Sequence, residues 1–213
     1  MPSAAWLTFG AVLGVVHLRC SQRLLQSVLS ESESQSIPRY PTWMLYVAAA
    51  LGAVTAVVVA DSSSPATSAH LIVVSSLLLV QAPLDMCSRQ LSRPVSSMAL
   101  VAVVAIVMTT AIQRGEATLL LQPAAITILV VFAYAVVHRV SPASLGRGDV
   151  VPVAPLACAL AVASPDRVII WQLVSSLSGA VHCVLGRLAD RGSNIAFGPH
   201  LLLTAWLVLV ASV

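Results

Sequence analysis

Apolar residues run through this chain in long blocks, without the alternating or one-sided patterns of a soluble fold. The blocks fall at about 4–18, 42–60, 66–84, 97–113, 118–137, 150–164, 168–186 and 197–213, separated by breaks bearing Ser, Pro, Gly and Arg. About 20 apolar residues cross a bilayer as a helix, and backbone in hydrocarbon must satisfy its own hydrogen bonds. The pattern therefore predicts an all-α polytopic membrane bundle of about eight transmembrane helices. The block at 150–164 is the weakest as a simple crossing, being short and carrying Pro152 and Pro155. No internal repeat is visible.

Composition points to the same solvent. Hydrophobic residues make up 58% and charged residues 9%, where a soluble domain carries about 25% charged residues; mean hydropathy is +0.94. The 11 basic residues are all arginine and the net charge is +3, too thinly spread to build a face for nucleic acid. Cys20, Cys87, Cys158 and Cys183 form no CxxC pair, and His17, His70, His138, His182 and His200 sit on different segments without metal-ligand spacing. Buried thiols and polar residues between helices are expected, with no metal and no cofactor. His182 adjoins Cys183, but neighbours on a helix point about 100° apart, which argues against a cysteine-protease pair.

The arginines also orient the chain, because cytoplasmic loops collect them. The breaks after the first, third, fifth and seventh blocks hold Arg19, Arg23, Arg39, Arg89, Arg93, Arg139, Arg147, Arg187 and Arg191, and the remaining breaks hold Arg114 and Arg167 alone. This asymmetry predicts both termini outside. The first block has no basic residue ahead of it, unlike a secretory signal, and is read as a retained helix. Residues 1–41 are then a first helix plus a polar cytoplasmic linker containing SESESQS, and 42–213 form the membrane core.

Of the 8 acidic residues, Glu31, Glu33, Asp61, Glu116, Asp166 and Asp190 lie in breaks where water solvates them. Asp85 instead ends an apolar helix in LLLVQAPLDMCSRQLSRP, and Asp149 opens another in SLGRGDVVPVAPLA, both at the predicted cytoplasmic edge. Ionisable groups at membrane depth are costly and mark function. Two carboxylates sharing a low-dielectric site hold one proton between them. The ionised member then takes a proton from an attacking water, while the protonated member hydrogen-bonds the developing oxyanion; peptide hydrolysis needs this arrangement and no metal. Gly146 and Gly148, around Arg147, are expected to let the backbone turn sharply so that Asp149 faces the bundle.

These residues carry a resemblance to the type IV prepilin peptidases, membrane aspartic proteases of the GxGD type. The matching places are Asp85 followed by Arg89 and Pro94, then Gly146-Arg147-Gly148-Asp149-Val150, then Phe197-Gly198-Pro199 opening the last block. Their order, spacing and membrane side agree with the family over about 42–213. The resemblance implies Asp85 and Asp149 as catalytic pair, with Gly146, Arg147, Gly148, Phe197, Gly198 and Pro199 shaping the site. It also implies, as partner, a prepilin-like membrane protein whose leader peptide is cut at the cytoplasmic face of a prokaryotic plasma membrane. Val151 stands where many members have lysine, and Ser92 where the proline is usual. Many bacterial members carry a cysteine-rich methyltransferase domain after the first span; the 19–41 loop is too short for it and has only Cys20. Peptidase activity without methylation is the expectation.

Other readings compete. Asp149 suits a helix N-cap, Asp85 an ion pair with Arg89 one turn on, Arg147 an orientation anchor, and Phe197-Gly198-Pro199 a plain helix start. A small transporter using the two aspartates as a proton or cation relay is the first rival function, although a relay calls for polar groups deep within spans. A catalytically silent scaffold is the second. The presenilin and signal-peptide-peptidase families share GxGD, but Leu84 stands where they have tyrosine, and their C-terminal Pro-Ala-Leu is missing here. Oligomeric state is left open.

Overall fold

With no water to bond the backbone, apolar runs in a bilayer close into helices, and the breaks between them become turns. The computed structural model describes residues 4–30, 40–88, 91–140, 147–188 and 196–212. Among these every regular element is helical: α1 (Ala4–Ser30), α2 (Thr42–Asp61), α3 (Pro65–Ser88), α4 (Arg93–Arg114), α5 (Thr118–Val140), α6 (Arg147–Val150), α7 (Val153–Ala163), α8 (Pro165–Leu188) and α9 (Gly198–Val210). Each apolar block has become a helix, α6 being one added turn ahead of α7, but α1 continues through Arg19 and Arg23 to Ser30, so residues 19–30 of the expected linker are helical. The protein is an all-helical membrane bundle, in which 6 helices (α1 to α5 and α8) are long and apolar enough to cross a bilayer.

The breaks act by identifiable chemistry. Gly115 ends α4 in the left-handed region at φ 66°, with its N–H on the Ile112 carbonyl and the next N–H, of Glu116, on Ala111. That double bond pattern needs a residue without a Cβ penalty. Ser64 caps α3, its Oγ accepting the Thr67 N–H at 3.3 Å, with Pro65 fixing the first turn. Pro152 at the start and extended Ser164 ahead of Pro165 at the end confine α7 to 11 residues, a rise of about 16 Å against a hydrocarbon core of about 30 Å. The block at 150–164 is therefore a half-length helix, and α9, with 13 residues, rises only about 20 Å.

These two short helices form the centre. Val153, Leu156, Ala157, Ala159 and Leu160 of α7, and Leu201, Leu202, Ala205 and Leu209 of α9, are fully buried against Leu71, Val74 and Leu77 of α3 and Val103 and Val107 of α4. Trp171 of α8 is also fully buried, with its ring N–H on the Leu201 carbonyl at 2.9 Å. Around them the long helices turn apolar side chains outward, among them Met98, Val101 and Ile112 of α4, Leu121, Ile128 and Phe132 of α5, and Leu173 and Leu177 of α8. In water such a belt would drive association; in a bilayer it is the lipid face.

Helices α1 and α2 meet backbone to backbone. A Cβ on Gly14 would lie 1.9 Å from the Ala48 carbonyl oxygen, and one on Gly10 2.3 Å from that of Gly52. The spacing of Gly10 and Gly14 is the small-residue motif that lets membrane helices touch. The pairing of 10 with 52 and 14 with 48 also makes the two helices antiparallel.

Directions alternate through the rest of the chain. One cavity is lined by the start of α3 (Ser64, His70), the end of α4 (Arg114), the start of α5 (Leu119), the end of α7 (Ala163) and the end of α9 (Leu209). The C-terminus of α3, the N-terminus of α9 and the approach to α7 therefore lie at the opposite end. Both termini of the described chain fall at the His70 end, and Asp85 and Asp149 both fall at the other.

Candidate active site

Asp85 lies in the last turn of α3 and is 4% exposed. Its Oδ2 accepts the Gly198 N–H at 3.1 Å across 113 positions of chain. The Phe-Gly-Pro segment thus meets the first aspartate directly. Gly198 is needed for the approach itself: a Cβ there would stand 2.6 Å from Asp85 Oδ2 and 3.0 Å from Leu91 Cδ1. Pro199 follows in the first turn of α9, where its missing N–H costs nothing.

The neighbours of Gly198 are fixed in turn. Phe197 lies against Gly179 of α8, where a Cβ would come within 2.7 Å of its ring, and stacks beside His200 with ring centres 6.4 Å apart. One ring nitrogen of His200 bonds Ser178 Oγ at 3.1 Å and the other bonds His182 Nδ1 at 2.8 Å. Two of the five histidines that look scattered in sequence are therefore joined by the fold, between α8 and α9. Among the described residues no group of three metal-ligating side chains forms.

Gln81, one turn before Asp85, is fully buried and was not singled out in the sequence. Its amide donates to the Ser92 carbonyl at 3.0 Å and to Ser96 Oγ at 2.6 Å, and its oxygen accepts the Ser92 N–H at 2.7 Å. The turn that follows Asp85 is thereby tied back onto α3. Ser92, the departure from the family's usual proline, contributes through an N–H that proline lacks. A glutamine inside an apolar run is the signal that could have found it.

On the same flank, the Ser21 hydroxyl of α1 donates to the Val80 carbonyl at 2.7 Å. Its one proton is thus committed, and the contact to Tyr40 at 2.8 Å has the phenol as donor. Burial pushes the Tyr40 phenol above its ordinary range, so it keeps the proton it donates.

Asp149 occupies α6, partly buried, within electrostatic reach of Tyr134 on α5; Tyr134 in turn donates to Gln172 Oε1 of α8 at 2.8 Å. The expected sharp glycine turn takes another form: Gly148 lies in a helical turn, and Gly115 has the only positive φ among the described glycines. Helical backbone from Arg147 onward suffices because α7 starts immediately after. Asp149 sits inside this turn rather than ahead of it, and the residue capping α7 is Pro152, so the N-cap reading of Asp149 does not hold. Gly146 and the Arg89 partner suggested for Asp85 lie outside the described residues, as do the side chain of Arg147 and the SESESQS linker. Since α7 packs on both α3 and α9, the two aspartates are carried to one end by helices in mutual contact.

Searches against family models, characterised proteins and solved structures give no match. The class defined by fold and composition is a polytopic helical membrane protein; the likeness to the prepilin peptidases rests on the residues alone.

Proposed function

We propose that this chain is a membrane-embedded aspartic endopeptidase that removes N-terminal leader peptides from prepilin-like proteins, with Asp85 and Asp149 as its catalytic pair. The observation that carries the reading is the hydrogen bond from Gly198 N–H to Asp85 Oδ2: two of the three motifs that suggested the family, far apart in sequence, meet at one carboxylate. That N–H holds the Asp85 carboxylate in orientation for proton transfer with the attacking water. Asp149, at the same end, is the second carboxyl, and between them one takes the water's proton as the other donates to the carbonyl oxygen.

One side chain of the substrate's hydrophobic helix is taken to enter the apolar pocket beside Met86 and Pro199, of about 160 Å³, bounded also by Trp43, Ala82, Pro83 and Leu203. Its leader then reaches the pair at the membrane edge, on the cytoplasmic side by the arginine asymmetry. The rival relay is disfavoured because Asp85 is the only buried carboxylate among the described residues, whereas proton paths use chains of such groups.

The test is cleavage of a co-expressed prepilin-like protein by the wild type, Asp85→Asn and Asp149→Asn at matched membrane abundance. Loss in both variants supports the pair. Cleavage that survives either change overturns the aspartic mechanism.

A further inference from the structure

The end of the bundle away from Asp85 holds a polar site that peptidase chemistry does not use. His70 lies four turns before Asp85 on α3, a separation of about 22 Å along the axis at 1.5 Å per residue. It is 2% exposed, one ring nitrogen is bonded to the Ala66 backbone, and its Nε2 has no hydrogen-bond partner among the described residues. A buried polar nitrogen without a partner is uncommon and calls for an occupant. His70 lines a cavity of about 220 Å³ whose other polar lining residues are Ser64, Thr67, Thr110 and Arg114.

The side chains in this cavity offer a cation and a hydroxyl donor. Arg114 supplies a fixed cation. Two helix N-termini, of α3 and α5, and three C-termini, of α4, α7 and α9, meet at the cavity, so the helix dipoles favour neither sign and the side chains decide. Ser64 Oγ accepts from the Thr67 N–H and from the Thr67 hydroxyl, so its own proton is available to donate. No carboxylate lines the space, and the nearest acids in sequence, Asp61 and Glu116, are exposed outside it. With its other nitrogen on a backbone carbonyl, neutral His70 presents Nε2 as an acceptor, suited to an O–H on the occupant.

Access is through a wider groove of about 370 Å³ that shares Ser64, Ala66, Thr110 and Arg114 and continues along Ala69, Ala105 and Ile106 between α3 and α4. That route is polar at its mouth and apolar along the lipid-facing side chains below.

We propose that this cavity binds a phosphate-class oxyanion that also carries a hydroxyl group, with Arg114 and Ser64 donating to the anionic oxygens and His70 Nε2 accepting the hydroxyl proton. Inorganic phosphate and the headgroup of phosphatidylglycerol both present this chemistry.

Two measurements on the full chain in phosphatidylcholine nanodiscs test it and separate the sources. One follows thermal unfolding during titration with sodium phosphate, with sodium chloride at equal ionic strength as control. The other is native mass spectrometry after addition of phosphatidylglycerol. The expected result is saturable binding of one equivalent of one probe, weakened about tenfold or more in Arg114→Gln through loss of a charge-assisted pair, and weakened also in His70→Gln. Phosphate alone identifies a soluble ligand; phosphatidylglycerol alone identifies a lipid site. Binding of neither probe, with an unfolding temperature indifferent to phosphate, would mean that the cavity holds only water and overturns the proposal. Binding unchanged in Arg114→Gln, a variant of an exposed residue outside the core, overturns it as well. The readouts are independent of peptide cleavage.

Discussion

Replacing Gly198 with alanine adds a single methyl group at the point where α9 meets α3. The new carbon would stand 2.6 Å from Asp85 Oδ2, 3.2 Å from Asp85 Cγ and 3.0 Å from Leu91 Cδ1, where ordinary contacts begin near 3.5 Å. Asp85 is 4% exposed and cannot swing into solvent, so either its carboxylate rotates off the Gly198 N–H or the start of α9 moves away. The first route loses a hydrogen bond to a charged group, about 1.5–3 kcal/mol, and the second resembles overpacking, about 1–3 kcal/mol. Neither is large enough to unfold a bundle whose core lies mostly along α7 and the rest of α9. The expected result is a protein present at wild-type abundance, unfolding a few degrees lower, with cleavage reduced about 100-fold, the cost of displacing a reacting group by about 1 Å. The assay pairs prepilin cleavage with thermal unfolding in detergent, using Asp85→Asn as the floor. Wild-type cleavage by Gly198→Ala would refute the argument that this close approach positions the carboxylate.

Ser92→Pro, which restores the residue usual in the resembling family, removes the N–H donated to buried Gln81 and should lower stability by about 1–3 kcal/mol, measured as a fall in unfolding temperature; an unchanged temperature would count against the Gln81 tether. Gly14→Ala places a carbon 1.9 Å from a backbone oxygen of α2 and should force α1 and α2 apart. The check is loss of a disulfide cross-link engineered between exposed positions on the two helices, with Ile128→Ala, on the outward face of α5, as the control that leaves the cross-link intact. His200→Ala breaks the links to both Ser178 and His182 and should lower cleavage more than His182→Ala, which breaks one; equal activities would assign the pair no part in holding the Phe-Gly-Pro turn. The trimmed substrate should carry an unmethylated N-terminus by mass spectrometry, since only residues 31–41 separate α1 from α2, too few for a second catalytic domain.

The sequence alone determined the helices, their breaks and their medium. Runs such as 97–113 and 118–137 leave the backbone no partner but itself in hydrocarbon, and Gly115 and Pro65 stop or start helices by local chemistry that needs no neighbours. It also marked Asp85, Asp149 and Gly198 as unusual, because a carboxylate at an apolar edge and a glycine before a helix-starting proline are visible without a fold. Tertiary structure decided which apolar helix is core and which is lipid face. Lipid tails are as apolar as a protein interior, so hydropathy cannot separate the fully buried Leu156 and Leu160 of α7 from Ile128 and Leu129 of α5, which face outward. It decided too that Gly198 touches Asp85, that Gln81 holds Ser92, that His200 meets His182 and that His70 looks into a cavity. Each depends on how separate helices and turns come together, with geometry set by how helices cross and how closely small residues let them approach, which residue order does not express.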